Sequence, residues 1–86
     1  MVKGQYEARP TMHGPATYRV RVIGHLDATW SDRLEGMSLS ESRLADGEAV
    51  TILEGRLADQ AALSGVLDTL YQLRLPVLSV DCLENE

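Results

Sequence analysis

Eighty-six residues with 44% apolar and 24% charged side chains suit one globular domain with a single modest core. Thirteen acidic against eight basic side chains leave a net charge of −5, so the basic footprint that phosphate binding needs is missing and nucleic acid is excluded as the expected partner. The lone cysteine, Cys82, excludes an internal disulfide, and with two histidines it cannot furnish the usual structural zinc set, so no metal and no cofactor are expected.

Residues 1–15 hold Gly4, Pro10, Gly14 and Pro15 without sustained periodicity and read as a flexible N-terminal arm, leaving 16–86 as a single α+β domain. Tyr18-Arg19-Val20-Arg21-Val22 alternates apolar and polar, the period of a half-buried strand, with Tyr18, Val20 and Val22 on one face and Arg19, Arg21 and Ile23 on the other. Asp27 is placed to cap a short helical turn carrying Trp30 and Leu34. Leu34 or Glu35 through Ser40 reads as a second strand with Met37 and Leu39 on one face, and Asp46-Gly47 is a hairpin dipeptide. Glu48–Leu57 is a third strand with apolar residues on both faces, Val50 and Ile52 against Leu53.

The helix that follows has the clearest signature. Asp59 stands at its start, and Leu63, Val66, Leu67, Leu70 and Leu73 recur at i, i+3, i+4, i+7 and i+10 as one apolar stripe. Pro76 ends it, and Val77–Leu83 reads as the last strand.

The order β-β-β-α-β implies a two-layer α+β fold, a four-stranded sheet with one helix on one face, of the ferredoxin-like or ACT-like half-sandwich type. Short links favour an antiparallel meander for the first three strands. The strands joined through the helix should be parallel. The sheet face away from the helix is then bare, with Ile23 and Val77 on it, and an exposed apolar face of that size marks an interface. A homo-oligomer, most simply a dimer, is the expectation. No apolar run has membrane-spanning length and the N-terminus lacks a secretory apolar core, so a cytoplasmic location without a membrane partner is expected.

Tyr18 to Glu84 resembles a family of short uncharacterised bacterial proteins. The likeness rests on the strand, the Gly24-His25-Leu26-Asp27 and Trp30 turn, the run Gly55-x-Leu57-x-Asp59-Gln60-Ala61-Ala62-Leu63-x-Gly65-x-Leu67, and the passage Leu73 to Val80. The resemblance implies no assigned activity. It also implies Gly where this chain has Arg74, the residue placed to take the left-handed conformation that ends the helix.

No residue cluster assigns a reaction. His25, Asp27 and Cys82 are the residue types of a nucleophile, base and orienting carboxylate, but none sits in a nucleophile motif, and Cys82 on a strand suits a small buried hydrophobe. Asp59 fills the helix N-terminus that would otherwise attract an anion. Gly65 and Ala61, opposite the leucine stripe, either leave room for a partner backbone or are tolerated at an exposed site. Two classes of function remain. One is a small oligomeric interaction or regulatory module without catalytic groups, with Ala61, Gly65, Ile23 and Val77 as interface candidates. The other is a dimeric α+β-barrel that binds a ligand, or an enzyme, with Arg19, Arg21 and His25 lining a pocket on the open sheet face.

Overall fold

A computed structural model describes residues 14–85, so the expected N-terminal arm, 1–15, lies largely outside the described residues. Four strands, β1 (Ala16–Ile23), β2 (Ser38–Arg43), β3 (Ala49–Leu57) and β4 (Val77–Asn85), form one antiparallel sheet with a helix, α1 (Gln60–Gln72), on one side. The class is α+β.

The strand order is β2-β3-β1-β4, which corrects the expected meander. β1 pairs with β3 and β4, not with β2. A 3-10 segment, Ala28–Leu34, carries the chain across so that β3 inserts between β1 and β2. β1 and β2 both run antiparallel to β3 and so share a direction; β3 and β4 share one likewise, with β1 between them. Each crossover therefore skips one strand.

Local chemistry explains the elements. Asp27 caps the 3-10 segment, accepting from the Thr29 backbone N–H at 3.1 Å and from the Thr29 hydroxyl. The segment stops where Glu35 and Gly36 take φ of 59° and 75°, so the expected second strand does not begin at Leu34 or Glu35. Leu34 and Met37 go into the core instead, and β2 starts at Ser38. The β2–β3 hairpin turns at Asp46-Gly47, with Gly47 at φ 92° and the Asp46 carboxylate accepting from the Glu48 N–H at 2.9 Å.

Asp59 caps α1 by accepting from the Ala62 N–H at 2.9 Å. At the other end Arg74 takes φ 61°, the Arg74 N–H donates to the Tyr71 carbonyl at 2.9 Å, and the Leu75 N–H donates to the Leu70 carbonyl at 3.2 Å. This is a Schellman closure, made here by an arginine.

The core lies between the sheet and α1. Tyr18, Val20 and Val22 of β1, Leu53 and Leu57 of β3, and Leu63, Val66 and Leu70 of α1 are buried in it, with Leu34 and Met37 closing the β2 flank. Gly55 is needed there, because a Cβ on it would stand 3.1 Å from the Met37 Cα. Thr51 is fully buried but satisfied: its hydroxyl donates to the Gly24 carbonyl at 2.8 Å and accepts from the Leu26 N–H at 3.0 Å.

β4 is irregular. Its register against β1 shifts around Leu78 and around Leu83, so Val77 pairs with Val22, Val80 with Val20 and Cys82 with Tyr18. That places Val77 on the helix side, correcting its assignment to the open face. The bulge at Leu78 reverses the simple alternation of strand residues.

Candidate functional site

Three regions hold the residues that the sequence singles out. The first is the sheet face away from α1. It carries Arg19, Arg21 and Ile23 of β1, Val50, Ile52 and Glu54 of β3, Ser38, Ser40 and Ser42 of β2, and Ser79 and Asp81 of β4. Arg19 Nε lies 2.6 Å from Glu54 Oε2, and Arg21 Nε donates to Ser79 Oγ at 3.0 Å. The Ser38 hydroxyl donates to the Glu54 carbonyl at 3.2 Å. Ile23 and Ile52 are half-buried and Val50 is buried, so this face is a partly polar ladder and not the bare apolar surface expected of it.

The second region is the group His25, Asp27 and Cys82, which the fold separates. Cys82 pairs with Tyr18, whereas His25 follows Ile23 at the other end of β1. Five residues of strand put about 17 Å between those levels at roughly 3.3 Å per residue. His25 Nδ1 instead meets Glu41 Oε2 at 2.7 Å on an exposed surface, and Asp27 is engaged in capping. Hydrogen bonds from Thr29 hold the Asp27 carboxyl below the ordinary aspartate value. Burial, and then the neighbouring Cys82, push the Tyr18 phenol up, so it stays neutral on the helix-facing side of β1. No nucleophile-base pair is assembled from these groups.

The third region is a groove between α1 and β4. Val20 of β1 is fully buried between Leu53 of β3, also fully buried, and Val80 of β4, which is 41% exposed. α1 packs chiefly against β3 and the 3-10 segment, and Val77 and Val80 on β4 are left partly exposed. The resulting open groove has a volume of about 600 Å³ and is lined by Ser64, Leu67, Asp68, Tyr71, Leu75, Pro76, Val77 and Val80. Among the described residues the large exposed hydrophobics are Tyr71, Val77, Leu78, Val80 and Leu83, all on β4 or the end of α1.

Of the interface candidates, Val77 lines this groove. Ala61 and Gly65 are exposed on the outer side of α1, and a Cβ on Gly65 would meet nothing within 4 Å. Ile23 stays on the opposite sheet face. The sequence reading missed Val80 and Tyr71. Tyr71 stands four residues after Leu67, which widens the apolar stripe beyond what the sheet beneath can cover, and that spacing is the signal that could have found it.

Among the described residues no group of three His, Cys, Asp or Glu side chains is placed to hold a metal, and no helix is long and apolar enough to cross a membrane. A family model described as a domain of unknown function, DUF8691, matches residues 17–81. No curated protein and no solved structure matches the chain.

Proposed function

We propose that this chain, which belongs to the DUF8691 family, is a small interaction module whose working form is a homo-oligomer, most simply a dimer. The observation that carries the reading is the concentration of exposed large hydrophobics along one groove. Tyr71, Val77 and Val80 line it, and Leu78 and Leu83 are exposed on the same edge strand; these five are the large exposed hydrophobics among the described residues. The aliphatics among them, such as Val80 at 41% exposure, keep less than half of their surface in water, so a partner surface would recover on the order of 1 kcal/mol from each.

The polar chemistry favours the same reading. Arg19 is engaged with Glu54, Arg21 with Ser79 and His25 with Glu41, so the side chains proposed to line a ligand pocket on the open face are already committed to neighbours. A ferredoxin-like description of the fold has support in the two strand-skipping crossovers, with the 3-10 segment in the place of a first helix. That likeness concerns architecture and carries no activity.

Sedimentation equilibrium tests the proposal. The expected mass is a multiple of the 9.5 kDa chain, falling to the single-chain value at high dilution. Val80→Lys is expected to abolish the higher mass while leaving the circular dichroism spectrum intact. A single-chain mass for the unaltered protein up to about 100 μM would overturn the proposal.

A further inference from the structure

The two edges of the sheet are finished differently. β2 ends it with Ser38, Ser40, Glu41, Ser42 and Arg43, all exposed and polar, the usual protection of an edge against pairing. β4 ends it with Val77, Leu78, Val80 and Leu83 exposed. An edge that is unpaired among the described residues, beside an apolar groove, suits an incoming strand that contributes both main-chain hydrogen bonds and apolar side chains.

Resting on the oligomeric reading above, we propose that the occupant is β4 of a second copy, paired antiparallel with Val80 opposite Val80. A two-fold axis normal to the sheet keeps α1 on the same side in both copies. Residues that face each other must then lie on the same face of the strand, so the centre falls on one residue, not between two. Centring on Asp81 would set two carboxylates against each other, and centring on Cys82 would set the Asp81 carboxylate against the apolar Leu83.

Centring on Val80 has neither fault. Val80 meets Val80, Val77 meets Leu83, Leu78 meets Cys82, and Asp81 meets the partner's Ser79. The last pairing supplies charge complementarity. Among the described residues neither Asp81 nor Arg21 has an ion-pair partner. Arg21 Nε already reaches across to Ser79 at the edge strand, so its guanidinium lies on the same face as, and next to, the position the second copy's Asp81 would take. The pairing joins two sheets into one of eight strands, merges the two grooves over the Val80 pair, and brings each Asp81 beside an Arg21 whose hydrogen-bond partner within its own chain is a serine.

Charge exchange tests the register separately from assembly. Asp81→Arg is expected to weaken association by tenfold or more, and Arg21→Asp combined with Asp81→Arg to restore it within about threefold, read by sedimentation at fixed ionic strength. Val80→Cys in a Cys82→Ser background is expected to form an intermolecular disulfide under mild oxidation. If the protein is oligomeric but Asp81→Arg leaves its affinity unchanged, the double variant fails to recover, or Val80→Cys does not cross-link, this pairing is wrong and the oligomeric reading stands. If the unaltered protein is monomeric, both fall.

Discussion

β3 and β4 flank the same central strand, run in the same direction and are tied to opposite ends of the same helix, yet only one of them is covered. Leu53 on β3 and Val80 on β4 are the two cross-strand neighbours of Val20, on the same face and in the same row; Leu53 is fully buried and Val80 is 41% exposed. The difference comes from where α1 lies. The helix packs on β3 and on the 3-10 segment, which itself packs on β2, and among the described residues nothing comparable flanks β4. A single 13-residue helix spans too little width to bury a twisted four-stranded sheet, and here the shortfall is gathered at one edge.

The largest effect that would test this contrast is in that row. Leu53→Ala should cost about 2–5 kcal/mol in urea unfolding, because it opens a cavity that the surrounding core cannot fill. Val80→Ala, measured in protein dilute enough to be monomeric, should cost less than about 1 kcal/mol. Comparable costs would mean that the β4 column is covered after all.

Next in size is Thr51, one row further along β3. Its hydroxyl ties the Gly24 carbonyl and the Leu26 N–H, closing the chain where it leaves β1. Thr51→Val keeps the shape and strands both backbone groups, and should cost about 1–3 kcal/mol. Thr51→Ser should recover most of that loss. A neutral Thr51→Val would show that water replaces the hydroxyl and that the β3 side is less tightly sealed than its burial indicates.

A change of opposite sign is expected at the helix end that leads into β4. Arg74 occupies φ 61°, where a side chain is strained and glycine is not. Arg74→Gly should therefore raise stability by about 1 kcal/mol, seen as a higher melting temperature. An unchanged or lower value would mean that the arginine side chain makes compensating contacts at this end of the groove.

The features legible in the sequence were the local ones. The alternation of Tyr18 to Ile23, the Asp59 cap, the leucine stripe, the Asp46-Gly47 turn and the left-handed Arg74 each depend on a few neighbouring residues, and each stands as read. Strand order was not legible, because nothing in the β1–β2 link says that a compact 3-10 segment can bridge two strands and leave a place for β3 between them. The face of Val77 was misread because a bulge at Leu78 leaves no mark in an already apolar pair of residues. The groove was missed for a different reason. It depends on where α1 settles across the sheet, and that is decided by tertiary packing against the 3-10 segment.

The smallest expected effect concerns that segment. Asp27 caps it, and hydrogen bonds from Thr29 hold the Asp27 carboxyl below its ordinary value in the folded protein. A carboxyl with a depressed folded-state pKa contributes stability that is fully present above the unfolded value of about 3.9 and is lost as pH falls through the folded value. Asp27→Ala should accordingly melt slightly below the unaltered protein at neutral pH, and the gap should narrow as pH is lowered from about 5 toward 3. The group is exposed, so the gap should remain small throughout. A gap that is independent of pH would mean that the cap acts without its charge. A gap that widens in acid would mean that the protonated carboxyl holds the 3-10 segment, and with it the seal on the β2 and β3 flank, better than the carboxylate does.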